Sequence, residues 1–116
     1  MDETMNIRGS MSFSGGIRLD GKLYGNLSIA EGSHGSVIMG PKSKIIGDIT
    51  TDSAIIAGEV KGNIEAVDFL ELHSTSIVYG DIVYGTLEIH SGAIINGTLK
   101  KNINKKNNNK EIRNDK

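Results

Sequence analysis

Short aliphatic stretches separated by glycine recur along most of this chain. The recurring unit is a glycine, then a small polar residue, then an aliphatic residue. Its five copies are Gly25-Asn26-Leu27, Gly47-Asp48-Ile49, Gly62-Asn63-Ile64, Gly80-Asp81-Ile82 and Gly97-Thr98-Leu99. Successive copies begin about 17–18 residues apart on average, and a repeat of that length is too short for a pair of helices and too long for the register of a hairpin.

This period predicts an all-β, single-domain β-solenoid. One coil of such a fold contains three short strands, and a period of about 17–18 residues suits such a triangular coil. Residues 13–99 would then form five to six coils, stacked about 4.8 Å apart as parallel strands. Glycine is expected at the corners, where φ is often positive. The predicted turn glycines are Gly25, Gly47, Gly62, Gly80 and Gly97.

Stacking places equivalent residues of successive coils in columns. The aliphatic residue of each unit is expected to face inward, and the polar residue before it to face outward. Two interpretations of the outward column remain open: a ladder of interacting side chains, or the ordinary preference of Asn and Asp for turns. The predicted inward core column is Leu27, Ile49, Ile64, Ile82 and Leu99, and the outward column is Asn26, Asp48, Asn63, Asp81 and Thr98.

Composition supports strands and tight turns, and it marks two tails. The 116 residues include 15 Gly and only one Pro, and the formal net charge is −1. Residues 1–12 lack periodicity and are predicted to form a flexible N-terminal tail. Residues 100–116 carry seven Lys or Arg against two acidic residues, a net +5, with few apolar residues. Such a segment cannot bury enough surface to offset its ordering entropy, so a basic, disordered C-terminal tail is expected.

The ordered set of repeats resembles the bactofilins, a family of bacterial cytoskeletal proteins. The matching segments are GKLYGNL, IIGDI, IIAGEVKGNI, LELHSTSIVYGDI and LEIHSGAIINGTL, which together cover roughly residues 17–99. The resemblance implies a right-handed parallel β-helix that polymerises end to end into filaments without nucleotide. It also implies roles in cell shape or in placing cell-wall and envelope machinery, often at a membrane. The family's short apolar membrane anchor is not matched here, because Asp2, Glu3 and Arg8 interrupt the N-terminal segment.

The two ends of the predicted solenoid are the expected polymerisation surfaces. Each end of a solenoid exposes unpaired strand edges and apolar interior, and a monomer would need a cap. No amphipathic helix flanks the repeats, so the ends are expected to pair with other copies of the chain, giving a homopolymer. The expected interface residues are Phe13, Ile17, Leu19 and Leu23 in the first coil and Leu87, Ile89, Ile94, Ile95 and Leu99 in the last coil.

The sequence predicts no catalytic, cofactor-binding or metal-binding residues. His73 and His90 are one repeat apart and would stack on the outer face, but no third ligand is evident nearby in the sequence, so two surface histidines are expected. Cys is absent, and neither a G-x-S-x-G elbow nor a Walker loop occurs. We therefore expect a scaffold that is not an enzyme and uses no cofactor.

Two alternative functions stay open. Left-handed hexapeptide-repeat acyltransferases also stack triangular coils, but the irregular spacing of the glycines breaks their strict repeat. The basic tail could bind nucleic acid or an anionic surface through salt-dependent attraction, although it lacks aromatic residues for base stacking. The expected partners are other copies of the chain, with cell-wall or envelope proteins and a peripheral membrane contact as further candidates, and nucleic acid is not expected.

The predicted location is the cytoplasm, including the inner face of the cytoplasmic membrane. The sequence contains no apolar run of about 18 residues, the length that a helix needs to span a membrane. Its N-terminus also lacks the basic start and long apolar stretch of a secretory signal.

Overall fold

The computed structural model describes residues 6–102, and this part of the chain consists of strands and turns without a helix. The strands are short because a corner interrupts the chain every few residues. Their bounds are β1 Asn6–Arg8, β2 Met11–Phe13, β3 Gly15–Leu19, β4 Lys22–Tyr24, β5 Leu27–Ile29, β6 Gly35–Met39, β7 Lys44–Ile46, β8 Ile49–Ile56, β9 Glu59–Lys61, β10 Ile64–Leu72, β11 Ile77–Tyr79, β12 Ile82–Ile89, β13 Ile94–Asn96 and β14 Leu99–Lys101.

The strands form three stacks, and every pairing within them is parallel. The first stack runs β1-β4-β7-β9-β11-β13. The second stack contains β2 and β5, the first halves of β8, β10 and β12, and then β14. The third stack contains β3 and β6 and the second halves of β8, β10 and β12. Since each stack advances by one strand per turn, the fold is a β-solenoid of about six coils, as predicted. Its handedness stays a prediction.

The core is a set of apolar columns that run through the stacked coils. Leu27 lies opposite Ile49, which lies opposite Ile64, and Ile82 and Leu99 continue the same register. The first four side chains of this column are at most 1% exposed, whereas Leu99 in the last coil is 44% exposed. Alternation along each strand sends every second side chain inward, which is why a thin coil still forms a continuous core.

The corner glycines are required by both conformation and space. Gly62 has φ of +150°, a conformation that residues with a side chain rarely adopt. A Cβ atom at Gly62 would overlap the carbonyl oxygen of Gly47 in the preceding coil. The same overlap recurs at Gly25, Gly47, Gly80 and Gly97, so the coils approach each other at this corner through backbone alone.

The outward polar column is a hydrogen-bonded ladder. The side-chain oxygen of Asn26 accepts the backbone N–H of Asp48 at 2.9 Å, and the Asp48 carboxylate accepts the N–H of Asn63 at 2.9 Å. Asn63 then accepts from Asp81 at 3.0 Å, and Asp81 accepts from both the N–H and the hydroxyl of Thr98, at 3.2 and 2.9 Å. Each side chain therefore ties its own coil to the next one.

The described solenoid extends beyond the predicted bounds of 13 and 99. Its first strand starts at Asn6 and its last strand ends at Lys101. The first coil contains the unit Gly9-Ser10-Met11, in which methionine replaces the aliphatic residue of the other copies. The predicted tails also include residues 1–5 and 103–116, which lie outside the described residues, so their flexibility stays a prediction.

Candidate polymerisation surfaces

The N-terminal end of the solenoid has three strands with an open edge. β1 pairs only with β4, β2 only with β5, and β3 only with β6. The other long edge of each of these strands has no strand beside it within residues 6–102. Open edges of this kind present backbone N–H and C=O groups that can pair with a further strand.

Apolar side chains accompany these open edges. Ile7, Met11, Phe13 and Ile17 pack against the core but remain partly exposed. Ile7 and Met11 lie opposite Leu23 and Leu27 of the second coil, which are fully buried. Ile7 and Met11 are more exposed because β1 and β2 each have a neighbouring strand on one side only within residues 6–102.

Two residues predicted to belong to this end surface do not lie on it. Leu23 belongs to the second coil, between Ile7 and Ile45 of its column, and it is fully buried. Leu19 lies in the first coil but is also fully buried. Leu23 was placed at the end because the prediction began the first coil at residue 13, whereas Leu19 was placed in the correct coil but was wrongly expected to be exposed. The candidate N-terminal surface is therefore corrected to Ile7, Met11, Phe13 and Ile17.

The C-terminal end of the part of the solenoid that the structure describes is also open, and it has apolar side chains that are more exposed than those of the N-terminal end. Ile89 ends the column of Leu19, Met39, Ile56 and Leu72, which are at most 1% exposed, yet Ile89 itself is 44% exposed.

The rest of this end continues the same surface. Leu99 ends the second stack in the same way as Ile89 ends the third, and Leu87 and Ile95 are half-buried beside them. Ile94 is exposed too, but it alternates with Ile95 and so faces outward. The C-terminal surface is therefore Leu87, Ile89, Ile95 and Leu99, with Ile94 at its side.

The C-terminal surface is stepped. Within residues 6–102, the first and second stacks gain β13 and β14 from the sixth coil, whereas the third stack ends one coil earlier, at the second half of β12. A strand that continued the third stack would cover Leu87 and Ile89 and would pair with the free edge of Thr86–Ile89.

The outer side of the fourth and fifth coils brings together three side chains that could hold a metal. His73 and His90 stack with ring centroids 4.8 Å apart. No third ligand was expected, but Glu71 lies between them, with its Oε2 atom 3.1 Å from Nε2 of His73 and 2.7 Å from Nε2 of His90. Residues two apart in a strand share a face, which is the pattern that relates Glu71 to His73.

The third histidine lies elsewhere. His34, in the turn before β6, contacts the Asp52 carboxylate at 2.9 Å through Nδ1. That carboxylate also accepts the backbone N–H of Gly35. The pair fixes the turn of residues 30–34, which is the insertion that lengthens the second coil and separates Gly25 from Gly47 by more than one ordinary repeat.

No helix within residues 6–102 is long and apolar enough to cross a membrane.

Comparison with known protein families agrees with the resemblance that the sequence repeat indicated. No curated protein and no solved structure gives a significant match to this chain. A family model described as "Bactofilin: Polymer-forming cytoskeletal" matches residues 1–100. That match spans most of the 116 residues and all but the last described strand residue of the solenoid. The chain belongs to the bactofilin family of polymer-forming cytoskeletal proteins.

Proposed function

We propose that this protein is a structural subunit that assembles end to end into filaments, with the N- and C-terminal surfaces described above as its contacts. Membership of a polymer-forming family supports self-association. The observation that carries the proposal is the contrast within a single column: Leu72 is fully buried, and Ile89, one coil further, is 44% exposed. One additional coil, supplied by another copy, would bury Ile89 as Ile89 buries Leu72.

The free energy expected from burying the exposed side chains at the C-terminal end favours association. Full burial of a Leu or Ile side chain contributes about 2 kcal/mol, so covering side chains that are 44% exposed contributes about 1 kcal/mol for each of Ile89 and Leu99. Pairing the open strand edges adds backbone hydrogen bonds at about 1 kcal/mol each. Neither contribution depends on a bound nucleotide, so assembly should proceed with the protein alone.

The sides of the solenoid offer a poorer contact. Strands in the middle coils are paired on both edges, as β7 is with β4 and β9. The exposed aliphatic side chains there, Ile38 and Ile46, lie on different stacks. Lateral contacts would therefore rest on separated side chains without edge pairing, which is why the ends are the proposed contacts.

We further propose that the filament acts as a scaffold in the cytoplasm rather than as an enzyme. In this role it would organise cell shape or envelope and cell-wall machinery, and cell-wall proteins or a membrane surface would be secondary partners. The support is the family's description as cytoskeletal. The basic tail stays a candidate anionic-surface contact, and all but Lys100, Lys101 and Asn102 of it lies outside the described residues.

The end contacts can be tested by introducing a charged residue into the surface at each end of the solenoid. Ile89→Arg and Phe13→Arg should each convert sedimenting polymer into slowly sedimenting subunits, because the new charge would have to be buried between coils. Ile46→Arg is the matched control, since Ile46 is 38% exposed on the side of a middle coil. Analytical ultracentrifugation and negative-stain microscopy without nucleotide provide the readout. Filaments that persist unchanged in both end variants, or that disappear only in Ile46→Arg, would overturn the proposal.

A further inference from the structure

We propose that Glu71, His73 and His90 form a binding site for a divalent transition-metal ion, with Zn²⁺ as the ion that the ligands fit best. The three side chains each offer one ligand atom, and these atoms all lie within 4.8 Å of one another. Neither the repeat nor the proposed assembly contact requires this cluster. The site lies on the outer side of the third stack, one residue beyond the strands at His73 and His90.

The ligand atoms are already close to the spacing that a metal requires. A tetrahedral Zn²⁺ ion with bonds of about 2.0–2.1 Å separates its ligand atoms by about 3.3 Å. Oε2 of Glu71 lies 3.1 Å from Nε2 of His73 and 2.7 Å from Nε2 of His90. These two separations are close to the tetrahedral spacing, and all three ligand atoms lie within 4.8 Å of one another, so small side-chain rotations should suffice to place an ion between them.

Backbone turns hold both histidines in place. The carbonyl of His73 accepts the N–H and the hydroxyl of Ser76, at 3.0 and 2.8 Å. The N–H of His90 donates to the carbonyl of Leu72 at 2.8 Å, and its own carbonyl accepts the N–H of Ala93 at 3.2 Å. Each histidine therefore begins a hydrogen-bonded turn. These backbone hydrogen bonds, and not only the contact between the two rings, place the imidazoles next to each other.

The chemistry of the ligands selects the class of ion. Two imidazole nitrogens and one carboxylate form a common set for zinc, whereas Mg²⁺ and Ca²⁺ prefer oxygen ligands. The side chains of His73 and His90 are each 42% exposed and that of Glu71 is 20% exposed, so an ion can enter from solvent. Water can occupy the fourth position, and Glu88, 3.7 Å from Nε2 of His90, is a second candidate for it.

The site would join two coils near the open C-terminal end. Glu71 lies at the end of β10 and His73 directly follows that strand, and His90 follows β12, whose second half has no further strand beside it within residues 6–102. An ion bound to all three would tie this free strand to the coil before it. An ion that binds the folded chain and not the unfolded chain raises the free energy of unfolding by mass action. Zn²⁺ should therefore raise the melting temperature and slow amide exchange in Thr86–Ile89.

The experiment uses the full chain without an affinity tag, after treatment with a chelator that is then removed. Isothermal titration with ZnCl₂ should show one ion per chain, and Co²⁺ should give the visible absorption of a four-coordinate site. His73→Ala and His90→Ala should each weaken Zn²⁺ binding at least about tenfold. His34→Ala is the matched control, because His34 pairs with Asp52 in a different coil and its loss should leave binding unchanged.

Other outcomes would overturn the inference. Absence of Zn²⁺ binding, or binding that falls equally in His34→Ala and His73→Ala, would mean that the cluster is only a hydrogen-bonded surface group. Circular dichroism checks that each variant keeps its strands. If either alanine variant loses its fold, Glu71→Gln, which keeps the side-chain size, and His90→Asn, which keeps a polar side chain, take its place, and unchanged Zn²⁺ affinity in both would refute the site equally well.

Discussion

A methyl group at a single corner should destabilise the whole solenoid. Gly62→Ala would place a Cβ against the Gly47 carbonyl and force alanine to adopt φ of +150°. The backbone strain alone costs about 1–3 kcal/mol. Relieving the overlap would separate the third and fourth coils, which stretches the flanking bonds from Gly47 N–H to Lys61 and from Ile49 N–H to Asn63, both 2.9 Å long. At about 1 kcal/mol each, these bring the expected loss to about 3–5 kcal/mol.

The assay is urea unfolding followed by circular dichroism, at one protein concentration and in an assembly-deficient Ile89→Arg background. Gly16→Ala is the matched control, because Gly16 lies in β3, has no positive φ, and would place its Cβ no closer than 4.0 Å to Ser36. That variant should change the free energy of unfolding by less than about 1 kcal/mol. Equal unfolding midpoints for Gly62→Ala and Gly16→Ala would refute the claim that backbone contact at the corner limits this fold.

Two further changes test the core and the ladder. Ile64→Ala should lower the free energy of unfolding by about 2–4 kcal/mol because Ile64 is 1% exposed in the core column, whereas Ile46→Ala, on the surface, should cost well under half of that in the same urea titration. Asp81→Ala removes the acceptor of the Thr98 N–H and hydroxyl, so the Thr98 amide should exchange at least about tenfold faster by mass spectrometry. Asp52→Ala, in a different coil, should leave that exchange rate unchanged, and the reverse pattern would contradict the ladder.

The repeat made the middle of the fold predictable from sequence. Gly, a polar residue and an aliphatic residue occur together at one corner of successive coils because three physical demands coincide there. Gly62 avoids an overlap, Asn63 bonds to the next coil, and Ile64 faces the core. A column of such units can be read directly, since the residue types alone mark both the turn and the direction of the following side chain.

The ends were harder to predict because the repeat weakens there. In the first coil Met11 occupies the aliphatic position, so a search for Ile, Leu and Val began the solenoid too late. That shift assigned Leu23 to the end surface, although it lies in the second coil and is fully buried, as is Leu19 in the first coil. The spacing between the corner glycines Gly25 and Gly47 is longer than the others for a local reason. The turn of residues 30–34 lengthens one coil without changing the register of the strands around it.

The cluster around the stacked histidines was only half visible in the sequence. The separation of His73 from His90 equals one repeat, and it correctly placed the two imidazoles next to each other. Glu71 was missed because its contact with His90 crosses between coils at a separation of 19 residues, which does not match the period. Such contacts depend on how far a side chain reaches towards the neighbouring coil, and not on the spacing of residues along the chain.

The most direct test of end-to-end assembly is the orientation and repeat of the coils inside the filament. X-ray fibre diffraction of aligned filaments of the unmodified chain, prepared without nucleotide, should show the strand spacing of about 4.8 Å along the filament axis. Microscopy of the same filaments should give an axial rise of about 29 Å per subunit, the height of six stacked coils. A strand spacing perpendicular to the filament axis would mean that the subunits join through their sides, and it would contradict the account.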